Sequence, residues 1–161
     1  MNAAIEIDYQ VEPTCSQAVY VPEEQQVNAW LRCVLEAVAY EKPVQLSVCI
    51  VDRQEITTLN SQYRKKNKAT NVLSFPYEPL PGVDIPLLGD VVVCAEVVND
   101  EAHEQGKTAE QHWAHMIVHG ALHLLGYDHI DDMDARQMEA MEVRILSQLG
   151  FPNPYGELNT L

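Results

Sequence analysis

Three histidines spaced as His119-x3-His123-x5-His129 constrain this chain more than any other feature. Residues four apart on a helix share a face, about 6 Å apart, so His119 and His123 can grip one ion only if a helix runs through both. Gly126 stands three residues on, where such a helix can end in the left-handed conformation that glycine tolerates best. The reversed chain can then bring His129 back toward the same point. A histidine pair by itself is a weak sign, more often packing than ligation. The glycine and the third histidine each have a geometric job, and with them the sign is strong. Three imidazoles with no fourth protein ligand in the motif describe an open catalytic zinc site and not a closed structural one.

The spacing resembles the HExxHxxGxxH pattern of the metzincin proteases, with one difference. Those enzymes carry a general-base glutamate directly after the first histidine, and here that position is Gly120. Glycine takes no proton from water, so the metal is expected to serve another electrophile, or the base comes from elsewhere.

The 161 residues suit one domain with a real core, and 47% apolar with 21% charged residues is an ordinary globular balance. No apolar run reaches the roughly eighteen residues of a membrane span, and the start Met-Asn-Ala-Ala-Ile-Glu-Ile-Asp is acidic and alternating, unlike a signal peptide. A cytoplasmic location with no membrane partner is the expectation. Cys15, Cys33, Cys49 and Cys94 are scattered without a CxxC pair and read as reduced thiols filling space.

A formal charge of −14 argues against generic nucleic-acid binding, and no DNA partner is expected. Distribution matters more than the sum. Four of only ten basic residues, Arg64, Lys65, Lys66 and Lys68, fall within five positions, while acid concentrates at 131–142 and around 96–110. Such a run is either a solvated loop or, if it lies beside the zinc, an anion-binding mouth on an acidic body.

Residues 4–11 alternate as a strand. Pro22-Glu23-Glu24 opens a helix to about Tyr40, with Val27, Trp30, Leu31, Val34, Leu35 and Val38 on one face. Val44–Val51 reads as a strand, and Asp52 caps a short helix reaching about Tyr63. Asn71–Phe75 is a short strand stopping at Pro76, and Leu87–Cys94, after a proline-rich loop, suits an internal strand. Helices follow at about 95–105, 108–125 and 131–149, the last favoured electrostatically by Asp131 and Asp132. The expected fold is a single α+β domain over residues 1–150. It has about four strands in a mixed sheet, about five helices, and the metal site on a helix of the C-terminal half and its following turn. Residues 151–161 are expected to be a loose tail.

Two stretches resemble the YbeY family, bacterial metal-dependent endoribonucleases of ribosomal RNA maturation. One is Leu59-Asn60-Ser61-Gln62-Tyr63-Arg64 running on through Thr70-Asn71-Val72-Leu73-Ser74-Phe75-Pro76. The other is Leu88-Gly89-Asp90 followed by His115-x3-His119-Gly120-x2-His123-Leu124-x-Gly126-Tyr127-Asp128-His129. Together they span most of the chain beyond residue 45, while the first forty residues match only in character. The resemblance implies one zinc ion on His119, His123 and His129, with Arg64 as the key arginine beside it. It implies a single-strand-specific endoribonuclease acting in 16S ribosomal RNA 3′-end maturation and ribosome quality control, with single-stranded RNA, the small ribosomal subunit and its assembly factors as partners.

The chemistry of these residue types is consistent with that implication. Three neutral imidazoles leave the ion its full charge, which suits an anionic phosphodiester. Arg64 offers a planar fork for phosphate oxygens, and Lys65, Lys66 and Lys68 can guide the strand more diffusely. Some roles stay open. Asp128 either orients a ligand or caps the turn, and His115 either contacts the site or is packed and hydrogen-bonded. Tyr63 and Tyr77 either stack bases or are ordinary half-buried tyrosines. His103 and His112 read as surface or packing residues, and Asp90 as an acid buried near the site with no assigned role. Two alternative functions compete: a peptidase-like metallohydrolase with an unusual base, and a non-catalytic assembly factor whose zinc staples the fold.

Overall fold

In the computed structural model, which describes residues 5–15, 20–78, 81–82, 86–128 and 131–156, four strands form one sheet. They are β1 (Ile5–Val11), β2 (Val44–Val51), β3 (Val72–Pro76) and β4 (Leu87–Cys94), in spatial order β1-β2-β4-β3. β1, β2 and β4 run parallel, and β3 closes one edge antiparallel to β4. The two most apolar runs are therefore the two inner strands. Val48 pairs with Val91 and Ile50 with Val93, all four fully buried. Pro76, which has no N–H for a ladder, ends the edge strand where it costs least.

Five helices are seen among the described residues: α1 (Glu24–Ala37), α2 (Arg53–Arg64), α3 (Ala95–Glu104), α4 (Ala109–Leu124) and α5 (Asp132–Gln148). Their starts follow side-chain chemistry. Asp52 accepts from the Glu55 amide, Thr108 from Gln111 and Asp131 from Asp134, each satisfying an amide the helix leaves open and contributing about 1 kcal/mol. Helix α1 stops three residues short of Tyr40, because Ala39 turns left-handed and the Tyr40 amide bonds back to the Leu35 carbonyl.

Helix α4 is the centre of the molecule. It packs against α1, α3 and α5 as well as β3 and β4, and it is buried on nearly every side from His112 to Leu124. A helix apolar all round belongs in an interior, and this one carries the histidine pair. The principal core lies between α4, α1, α5 and the inward residues of β2 and β4. A smaller core of Val51, Ile56, Leu73, Val92 and Cys94 lies under α2 on the other face. All four cysteines are free thiols. No described helix is long and apolar enough to cross a membrane.

From residue 151, where a loose tail was expected, the chain is docked as far as Gly156. The Phe151 amide bonds the Leu146 carbonyl at 2.8 Å, and Lys107 Nζ donates to the Pro154 carbonyl at 3.0 Å. The expectation for residues 157–161 lies outside the described residues.

Candidate metal centre and nucleic-acid cleft

Helix α4 presents His119 and His123 one turn apart to a cleft of about 270 Å³. Its other walls are the end of α2, the basic turn after it, and Asn71 with the first residues of β3, Val72 to Ser74. Arg64, Lys66 and Lys68 line this cleft together with the two histidines. Lys65 is not part of the lining. It caps α2 in the left-handed conformation, and its amide bonds the Asn60 carbonyl. The third expected ligand, His129, lies outside the described residues, and among the described residues no group of three His, Cys, Asp or Glu is arranged to hold a metal ion.

The close approach of α4 to the sheet depends on Gly120. A methyl there would lie 2.7 Å from Val91 Cγ1 and 3.3 Å from both Ser74 Oγ and Val72 Cγ2. Gly120 therefore leaves no room for the glutamate that a metzincin carries at this position. Gly126 ends the segment at φ +101, a conformation costly for any residue with a Cβ, as the spacing requires.

The basic turn is held by one buried side chain. Asn60 is 2% exposed, and its Nδ2 donates to the Lys68 carbonyl at 2.9 Å while its own carbonyl receives the Lys65 and Lys66 amides. Asn71 is likewise committed. Its amide nitrogen donates to Glu101, which pairs with buried His112 at 2.8 Å, and its oxygen caps the Val72 amide.

Behind His119 stands Glu142 of α5, buried to 1% exposure. Its Oε2 receives His119 Nδ1 at 2.8 Å, and its Oε1 receives His115 Nε2 at 2.6 Å and the Tyr155 hydroxyl. Burial alone pushes this carboxyl up, but the hydrogen bonds and charges of His115 and His119 outweigh it and hold it at about 2. The Tyr155 hydroxyl is pushed up, first by burial and then by its bond to Glu142, so it remains a donor. His115 is thus hydrogen-bonded behind the cleft and is not part of its lining.

The donor chemistry fits a divalent metal. An ionised carboxylate only accepts, so His119 must carry a proton on Nδ1, and its neutral imidazole then has the lone pair on Nε2, the orientation of a metal-ligating histidine with a carboxylate behind it. Burial is the largest influence on His123 and holds it below the ordinary histidine range. Asp128 opposes this, while His119 and Arg64 add to it. The neutral form that ligates is therefore the favoured one.

Several residues weighed from the sequence sit elsewhere. Asp90 is exposed rather than buried and pairs with Ser47, outside the cleft. Tyr63 is 65% exposed and packs edge-on to Phe75 at 5.1 Å, while Tyr77 is half-buried. His103 is exposed and His112 buried. Sequence reasoning missed Glu142, Tyr155 and Asn60. Glu142 had a signal: it stands on the buried stripe of α5 with Met138 and Ile145, where an acid needs partners.

The sequence profile of the family described as Endoribonuclease YbeY matches residues 14–150 of this chain. The solution structure of TM1509 from Thermotoga maritima is similar at 26% identity and a TM-score of 0.59, over 96% of this chain and 92% of that one.

Proposed function

Because the chain belongs to the YbeY endoribonuclease family, as the match over residues 14–150 shows, we propose that it is a zinc-dependent enzyme cutting single-stranded RNA in this cleft. In this reading His119, His123 and His129 hold one ion. The ion would supply Lewis acidity toward a phosphoryl oxygen and lower the pKa of water at the site. The observation that carries the reading is that Arg64 lines the same cleft as His119 and His123, although it arrives from a different helix.

The chain's own groups divide the remaining work. Arg64, the last residue of α2, offers its planar fork to two phosphate oxygens and meets the negative charge that builds there. Lys66 and Lys68 follow the neighbouring phosphates, with Lys65 contributing at longer range. Asn60 keeps that turn in register with the histidines. Glu142 holds His119 with its lone pair toward the cleft. No carboxylate lies between the histidines on α4, which removes the feature a peptidase of this spacing would need.

The substrate proposed is the 3′ end of small-subunit 16S ribosomal RNA, with a part in ribosome quality control. The partners are the small subunit and its assembly factors in the cytoplasm, and DNA and membranes are not partners. The acidic body, at −14, disfavours free RNA, so the ribosomal particle supplies much of the affinity. The test pairs metal analysis of the purified protein with cleavage of a small-subunit rRNA 3′ fragment by wild type, His123→Ala and Arg64→Ala. Zinc near one per chain, with cutting lost in both variants, is the expected result. A metal-free His123→Ala protein that cuts at the wild-type rate would refute the reading.

A further inference from the structure

We infer that Glu142, with its other oxygen tied down by Tyr155 and His115, is a positioning residue that fixes the imidazole of His119 in the Nδ1–H form before any metal arrives. The inference rests on the metal reading above for its purpose, but the geometry stands apart from it. Glu142 and His119 belong to different helices, α5 and α4, and meet at 2.8 Å. A neutral imidazole left to itself has two forms, and only one of them turns a lone pair on Nε2 toward the cleft.

Three donors converge on one carboxylate, which is 1% exposed. The Tyr155 hydroxyl and His115 Nε2 both reach Oε1 and lie 3.3 Å from each other, and their rings meet edge-on at 5.4 Å. With Oε1 so occupied, the bond of Oε2 among the described residues is the one to His119 Nδ1. Among the described residues His115 Nδ1 is buried with no hydrogen-bond partner, as it should be when the proton of that ring is on Nε2 and pledged to Glu142. A bare lone pair is tolerable there, whereas an unmatched N–H would leave a buried donor orphaned. Three side chains thus serve one end: a single proton position on His119. Tyr155 gives the docked segment after α5 a role at the cleft it does not itself line.

The test reads nitrogen-15 chemical shifts of His119 in metal-free protein, and separately the zinc dissociation constant, for wild type, Glu142→Met and Glu142→Gln. Met is of similar length and its thioether is at most a weak acceptor. Gln keeps one carbonyl oxygen, which the two donors at Oε1 claim, and so turns its NH2 toward His119. Wild type should show the proton on Nδ1, and both variants should move it largely to Nε2. Zinc affinity should fall roughly 10–100-fold in both. An unchanged His119 tautomer with unchanged zinc affinity in Glu142→Met overturns the inference. Should that variant not fold, Tyr155→Phe decides: a several-fold loss of zinc affinity supports the clamp, and wild-type affinity with wild-type His119 shifts refutes it. If wild type binds no zinc at all, the metal reading fails, while the tautomer comparison still decides the role of Glu142.

Discussion

Ser74 Oγ donates a 3.0 Å hydrogen bond to the carbonyl oxygen of Gly120, tying the edge strand β3 to the turn of α4 that lies between the two cleft histidines. The bond is buried and joins residues 46 positions apart, at the point where the absent Cβ of Gly120 lets the histidine helix lie close on the sheet.

That closeness makes Gly120→Ala destabilising even though alanine is the better helix former. The added methyl, 2.7 Å from Val91 Cγ1, should cost about 1–3 kcal/mol of overpacking, offset by about 1 kcal/mol of propensity. Thermal melts should show a drop of several degrees. In the double variant with Val91→Ala, the two losses should sum to more than is observed, because the smaller side chain makes room. Strict additivity would show that the contact does not matter.

Removing the buried amide in Asn60→Ala should loosen the basic turn without touching the metal. The Lys68 carbonyl loses its donor, at about 1–3 kcal/mol of stability, and Arg64, Lys66 and Lys68 lose their common frame. We expect KM for an RNA fragment to rise several-fold while zinc content stays at the wild-type level. Loss of zinc in this variant would mean that Asn60 acts on the histidines instead.

Arg64→Lys keeps the charge and discards the fork, so it separates attraction from positioning. Single-turnover cleavage should fall at least about tenfold while the salt dependence of RNA binding hardly changes. Arg64→Ala should also lower the slope of log affinity against log salt by about one. Equal cleavage by the arginine and lysine proteins would reduce Arg64 to a generic cation.

Chelation should abolish cleavage and leave the fold standing. Helix α4 is packed against α1, α3, α5, β3 and β4, with Trp113, Ile117 and Leu122 fully buried, so it needs no ion to stay in place. Circular dichroism should be nearly unchanged, the melting temperature should fall only by the linkage of zinc binding, and activity should return with zinc. Collapse on chelation is the outcome the zinc-staple alternative requires.

Much of this fold could be read along the chain. The alternation of Ile5–Val11, the runs Val44–Val51 and Leu87–Cys94, and the caps Asp52 and Asp131 are near-neighbour physics, and each appears within a few residues of where the pattern puts it. The histidine pair on one helical face follows from the same period. Asp90 shows the limit. A strand-borne acid in an apolar run looked buried, but it is exposed and pairs with Ser47, because the core under α2 covers its face only from Val92 to Cys94, and alternation assigns a face without saying how far along it the cover reaches.

Spacing alone thus determined the helix under His119 and His123, the left-handed stop at Gly126, and the local charge of the turn from Arg64 to Lys68. Folding decided the rest: that this turn faces the histidines, that Asn60 pins it, and that Glu142 and Tyr155 stand behind His119. These groups come from α2, α4, α5 and the segment beyond. Which of them meet is settled by how apolar faces pack, an outcome of the whole core, whereas a helical period is settled by four residues at a time.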